Sequence, residues 1–192
     1  SVEKVWTKRL QIQSSNLNVT FNTTKVSSFY FESNIIKRTT NKTFDSLINA
    51  ANLLTGNLYL WNNIIFDSTA NAMSAINIGS SLANYFIYNN TIINTYYGIR
   101  NGNNGTHYIM NNRISSTNAF YSTGASTFIS GSTVNNYNYV TSSFVNNAVG
   151  ANGAYSQTFS YVASSIGNFT PTTSDPCINA GINLSTDASL PF

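Results

Sequence analysis

The feature that most restricts the fold of this 192-residue chain is an octet that returns along it. It reads FYFESNII at 29–36, LYLWNNII at 58–65, YFIYNNTI at 85–92 and HYIMNNRI at 107–114. Two weaker copies extend the series, LQIQSSNL at 10–17 and TFISGSTV at 127–134. The sixth residues of the copies, Ser15, Asn34, Asn63, Asn90, Asn112 and Ser132, are separated by 19, 29, 27, 22 and 20 residues. Such steps suit the coils of a solenoid joined by loops of unequal length.

Side chains alternate with period two inside each copy, which makes the octet a strand and assigns its faces. The third positions are Ile12, Phe31, Leu60, Ile87, Ile109 and Ile129, and the eighth are Leu17, Ile36, Ile65, Ile92, Ile114 and Val134. All are apolar, so they are expected to form two inward ladders. Between them Asn34, Asn63, Asn90 and Asn112 are expected to stack as a structural ladder. An Asn tolerates the left-handed backbone of a sharp corner, and amides repeated at the strand spacing of about 4.8 Å can bond along the stack. Ile48, Ile76 or Ile78, Ile99 and Phe120 then mark a further strand of each coil. The expected architecture is all-β: one domain over 1–192, a right-handed parallel β-helix of about six to eight coils, roughly 30 to 40 Å long. Residues 135–192 fit the repeat less regularly.

The outward positions carry the functional candidates. The second position reads Gln11, Tyr30, Tyr59, Phe86, Tyr108 and Phe128, and the fourth reads Gln13, Glu32, Trp61, Tyr88, Met110 and Ser130. Together they predict an exposed aromatic stripe through Tyr30, Tyr59, Trp61, Phe86, Tyr88, Tyr108, Met110 and Phe128. Stacked rings stabilise a sheet by themselves. A contiguous exposed apolar patch also suits a protein interface or a sugar-binding surface.

Charged residues make up 8% of the chain and aromatics 14%, the reverse of a disordered composition. Asn, about a sixth of the residues, with Ser and Thr supplies the polarity and disfavours helix. The net charge of +3 is concentrated, since seven of the nine Lys and Arg lie within the first 42 residues. That is too sparse for a nucleic-acid surface. No apolar run is long enough for a membrane span. Seven N-x-S/T sequons match what this composition yields by chance.

Chemistry is poorly supplied. Glycosidic hydrolysis needs paired carboxylates, and elimination needs metal-holding acids beside a basic residue. The six acidic residues, Glu3, Glu32, Asp45, Asp67, Asp175 and Asp187, are scattered. Glu32 and Asp67 are expected to be solvated, Asp175 to make a turn, His107 to be a part-buried strand-end residue, and Cys177 a small buried one. No metal-ligand spacing and no cofactor motif is present.

The copies resemble the right-handed parallel β-helix repeat family, whose coils read like xIxNNxI followed by a Gly-Ile segment. SSFVNN at 142–147 and SDPCINAGINL at 174–184 are similar to a closing segment of its secreted members. The family usually continues past that segment, so the expectation from the resemblance is that 1–192 is a fragment, a processed product or part of a longer chain. The uncharged, Asn-, Thr- and Tyr-rich composition leads to the expectation of an extracellular or surface-exposed location. The leading expectation is a non-catalytic structural module that self-associates or packs against another surface protein in a fibre, spike or other assembly. The alternative is a carbohydrate-binding or carbohydrate-active β-helix with glycan partners. Ice binding is weaker, because no regular Thr ladder runs through the copies.

Overall fold

A computed structural model describes residues 4–14, 19–21, 27–39, 46–53, 55–69, 73–79, 82–102, 106–122, 134–142, 150, 152–164 and 168–185. Their strands wind as a parallel β-solenoid with three faces. The first face is a six-stranded sheet of β1 (Lys4–Lys8), β4 (Ser28–Glu32), β7 (Gly56–Trp61), β10 (Ala83–Tyr88), β12 (Thr106–Met110) and β14 (Val134–Asn136). The second face follows a corner and holds β2 (Gln11–Ser14), β5 (Ile35–Arg38), β8 (Ile64–Asp67), the starts of β11 (Thr91–Asn101) and β13 (Arg113–Ser122), and β15 (Tyr139–Val140). The third face holds β3 (Val19–Thr20), β6 (Ser46–Ala50), β9 (Ser74–Ile78) and the ends of β11 and β13. A bulge between Ile93 and Thr95, with Asn94 at φ 56°, carries β11 from the second face to the third. Among the described residues the only antiparallel pair is β16 (Tyr161–Ala163) with β17 (Asn168–Pro171).

The fold class expected from the octet is therefore the fold observed, with six rungs on the first face. The two weak copies were placed in the wrong register. Trp6 pairs with Tyr30 and Ile12 with Ile36, so Ile12 is an eighth-position residue and the first rung is KVWTKRLQI, residues 4–12. At the other end Met110 pairs with Asn136 and Ile114 with Val140. The sixth rung is thus VNNYNYV at 134–140, and its ladder residue is Asn138 rather than Ser132. Ser15, Leu17, Phe128, Ile129 and Ser132 lie outside the described residues. The last copy is displaced by six residues, which period-two alternation tolerates, and the first by five, which lays one inward column, the third position, over the other, the eighth.

Inside the solenoid Phe31, Leu60, Ile87 and Ile109 stack from the first face, and Ile36, Ile65, Ile92 and Ile114 from the second. The third face adds Ile48, Ile76, Ile99 and Phe120, aligned across four coils. Each such side chain contributes on the order of 1.5–3 kcal/mol by leaving water.

The corner between the first two faces divides its work between adjacent residues. The left-handed conformation falls on the fifth position of each rung: Arg9 (φ 56°), Ser33 (54°), Asn62 (57°), Asn89 (53°), Asn111 (57°) and Tyr137 (53°). The sixth-position Asn, expected to make the turn because it tolerates that conformation, does not; it fills the inside of the turn. Asn34 donates Nδ2 to Asn63 Oδ1 (3.2 Å), and the same bond joins Asn63 to Asn90, Asn90 to Asn112 and Asn112 to Asn138, each at 3.0 Å. Each Oδ1 also accepts the backbone N–H of the preceding ladder residue, at 2.9–3.1 Å. The second Nδ2 hydrogen reaches back to a third-position carbonyl, as from Asn63 to Phe31 (2.9 Å) and from Asn90 to Leu60 (2.9 Å). A buried side chain thereby satisfies two buried backbone groups of the preceding coil and bonds the ladder amide of the next.

Truncating one ladder amide should cost more than the bonds themselves suggest. In Asn90→Ala the N–H and amide of Asn63 and the carbonyl of Leu60 lose partners in a dry interior, for a loss of roughly 2–5 kcal/mol. Urea unfolding monitored by circular dichroism should show a large fall in midpoint. Asn89→Gly, one residue away on the left-handed corner, should leave the midpoint nearly unchanged.

Candidate functional site

The predicted stripe exists as a stack, with Trp6 instead of Gln11 at its head. Successive ring centroids from Trp6 to Tyr30, Tyr59, Phe86 and Tyr108 are 4.7, 4.8, 4.5 and 4.9 Å apart, with interplanar angles of 17°, 2°, 11° and 1°. The strand spacing imposes these separations, because in-register parallel strands place like residues directly above one another. Trp61, in the neighbouring fourth-position row, turns its edge to Tyr30 (6.0 Å) and Tyr59 (6.2 Å). Tyr88 and Met110 continue that row.

Exposure is where the expectation fails. Tyr30, Tyr59, Trp61, Phe86, Tyr88 and Met110 are all buried and Tyr108 is half-buried; Phe128 lies outside the described residues, and Val134 takes the register place next to Tyr108. These rings form a second apolar cluster on the outside of the first sheet, and Leu184 is a member of it. Burial first, and the neighbouring Tyr30 second, raise the pKa of the Tyr59 phenol. Only the first rung remains open: Trp6 is 51% exposed, and Leu10 beside the corner is also exposed.

Leu184 comes to this cluster from a strap over residues 175–185 that rounds the corner of the fifth rung. On the second face Arg113 pairs through Nη2 with Asp175 Oδ2, while its guanidinium lies over Phe159 (4.5 Å) and Tyr161 (4.0 Å). Asp175 also accepts the N–H groups of Ser160 (2.7 Å) and Cys177 (3.0 Å), so the turn expected at Asp175 is present but built on a buried ion pair. At the corner Asn111 clamps Ile182, donating to its carbonyl (2.7 Å) and accepting its N–H (3.0 Å). Gly181 passes so close that a Cβ there would sit 3.0 Å from the Asn111 amide. Leu184 then reaches the aromatic face. A cavity of about 160 Å³ remains beneath the strap, lined in part by Asn89, Asn111, Tyr137 and Cys177. Burial, and secondarily the Asp175 charge, push the Cys177 thiol up to about 12, which keeps it protonated and unreactive.

The remaining titratable candidates are also tied into the scaffold. Asp67 is not solvated: it lies inside the solenoid, fully buried, 2.8 Å from the equally buried Arg38 of the preceding coil. Thr69 donates its N–H (3.1 Å) and hydroxyl (2.8 Å) to the other oxygen of Asp67. The pair was visible in the sequence, since Arg38 and Asp67 each follow an eighth-position Ile by two residues. Glu32 is half-buried, bound to Lys8 (2.8 Å) and to the Trp6 indole N–H (3.2 Å). His107 is fully buried, beyond the part-burial expected, and its ring is tilted at 35° against Tyr85 with centroids 5.5 Å apart. Among the described residues no three His, Cys, Asp or Glu gather as a metal site, and no helix is long and apolar enough to cross a membrane. The third face offers the in-register row Thr20, Asn49, Asn77, Arg100 and Tyr121, which is not a threonine ladder.

Burial lowers the His107 pKa to about 4 from an unfolded value near 6.5. The unfolded chain therefore takes up the proton first, and stability present above pH 6.5 falls as the pH drops toward 4. Between pH 7.5 and 4.5 this one group should remove about 2–3 kcal/mol, read as a shift in urea midpoint. His107→Leu, matching Leu58 in the same row, should flatten that part of the profile. Asp67→Asn leaves Arg38 uncompensated in the interior and should cost about 3–5 kcal/mol at neutral pH in the same assay.

Comparison with protein-family models, with curated proteins and with solved structures finds no match to the chain, so its functional reading rests on the geometry above.

Proposed function

We propose that this chain is a non-catalytic structural module of the parallel β-helix repeat type, working outside the cell or on a surface, that packs into a fibre, spike or other assembly. The observation that carries the reading is an open apolar end on a scaffold whose ionisable groups are spent on cohesion. All three described carboxylates are held by cations, Glu32 by Lys8, Asp67 by Arg38 and Asp175 by Arg113, which leaves none of them poised for acid–base work. At the same time β1 ends its sheet with Trp6 and Leu10 exposed. An edge strand of this kind is a site for further pairing. Lys4 flanks Trp6 on this edge while Lys8 is paired with Glu32, so the open end favours a partner surface other than an identical first rung. The low content of charge and the Asn-, Thr- and Tyr-rich composition support a surface location.

Sedimentation velocity and negative-stain imaging over a concentration series should show ordered, concentration-dependent oligomers. A species that stays monomeric at high concentration, with no ordered polymer, overturns the assembly reading.

A second reading is favoured by Trp6 itself. It ends a stack of five rings, is half exposed, and has the Lys8 ammonium 5.9 Å from its ring, an arrangement suited to a sugar with acidic substituents. On a glycan array, binding by the wild type that disappears in Trp6→Ala would support it. Trp61→Ala, whose ring is buried, reports loss of folding instead, and a wild type that binds no glycan removes the reading.

A further inference from the structure

The cavity beneath the strap has the volume and the lining of a binding site. It measures about 160 Å³. A cavity of roughly 150 Å³ is enough for one six-membered ring. Its walls are polar where a dry packing void would be aliphatic: Asn89, Tyr137 and Tyr139 come from the coils, Cys177 and Gly181 from the strap. Arg113 completes them from the second face and brings hydrogen-bonding capacity that the fold does not use. Its side chain is 5% exposed, and Nη2 alone is engaged, by Asp175 Oδ2 and by the Ser160 carbonyl (3.3 Å). Phe159 and Tyr161 hold the guanidinium between their rings. Nε and Nη1 are buried with no hydrogen-bond partner among the described residues. Unmet buried donors are costly, so this edge of the guanidinium calls for an acceptor.

Charge narrows what that acceptor is. Among the described lining residues Arg113 carries the only charge, and Asp175 already matches it. A carboxylate or an amine would enter as an unmatched ion in a half-buried site. A neutral ring bearing hydroxyl groups would not: each hydroxyl accepts from the guanidinium or the Asn89 amide and donates to the amide oxygen or a phenol. The rings of Tyr137 and Tyr139 supply apolar surface for its C–H groups. We propose that this cavity binds one neutral sugar ring, entering on the side where Asn89 and Gly181 are exposed. The site is separate from Trp6 on the first rung and depends on neither reading given above. A ligand this small should bind with a dissociation constant on the order of millimolar.

The test titrates nitrogen-labelled full-length protein with methyl glucoside, methyl galactoside and methyl mannoside, with glucuronate as the charged control and glycerol as the small polyol control. At least one neutral glycoside should shift the amide resonances of Asn89, Tyr137 and Gly181 saturably, and glucuronate should bind at least about tenfold more weakly. Tyr139→Phe keeps the ring and removes the hydroxyl, and should weaken that binding by roughly threefold to tenfold. Cys177→Leu adds bulk to the lining and should abolish it with the circular dichroism unchanged; should that variant fail to fold, Tyr139→Phe carries the test alone. Trp6→Ala should leave this binding as it is, which separates the site from the acidic-sugar reading. The absence of a saturable shift with all three glycosides overturns the proposal and leaves a cavity that holds water only. So does a shift that glycerol reproduces at the same concentration, or one that neither Tyr139→Phe nor Cys177→Leu diminishes. Binding lost in Trp6→Ala but kept in Tyr139→Phe also overturns it, while sustaining the reading at the first rung.

Discussion

One buried amide per coil governs the rest of the molecule. A parallel solenoid has to turn sharply at the end of each first-face strand, and a sharp turn leaves backbone N–H and C=O groups pointing into a dry interior. The row from Asn34 to Asn138 meets these groups with side chains that also bond to one another. Because the corner is fixed, the strands on either side hold register, and the apolar columns inside and the aromatic column outside follow from that register. The loops elsewhere on each coil are under no such constraint and vary in length.

The left-handed residue just before each Asn shows how separable the two demands are. Arg9, Ser33, Asn62, Asn89, Asn111 and Tyr137 share a backbone conformation without sharing a side-chain chemistry. Their neighbours at the sixth position share a side chain because its oxygen and nitrogen are both used. At the first rung Leu10 stands in that place, and its N–H still reaches Asn34 Oδ1 (2.9 Å), so the row ends there with its last acceptor occupied.

The repeated octet made the fold, the inward columns and the Asn ladder legible because each leaves a mark at fixed spacing. Rungs that lack the Asn pair were harder to read. KVWTKRLQI at 4–12 has Thr7 and Leu10 where the second to fifth rungs have a large apolar residue and Asn, and the overlapping LQIQSSNL matches the octet more regularly. The stripe is legible as a row, whereas its burial is not. Nothing periodic in residues 175–185 announces that Leu184 returns to that row, since a strap is specified by contacts far along the chain. The burial of Asp67 is hidden from the local sequence for a related reason. Its partner Arg38 is 29 residues away, and only the common register places the two charges together inside the solenoid.

The Asn row also has a direction. Every amide in it gives its hydrogen toward the later coil and receives from the earlier one, along spacings of 29, 27, 22 and 26 residues. Any junction in the row therefore presents the same pair of complementary groups. A duplicated coil inserted at any of them would meet a donor on one side and an acceptor on the other, whatever the length of its loops, provided it carried the Asn. A coil without it would break the row twice. The molecule is in this sense modular by construction: lengthening by whole coils is compatible with its chemistry, while a single substitution at the sixth position is not.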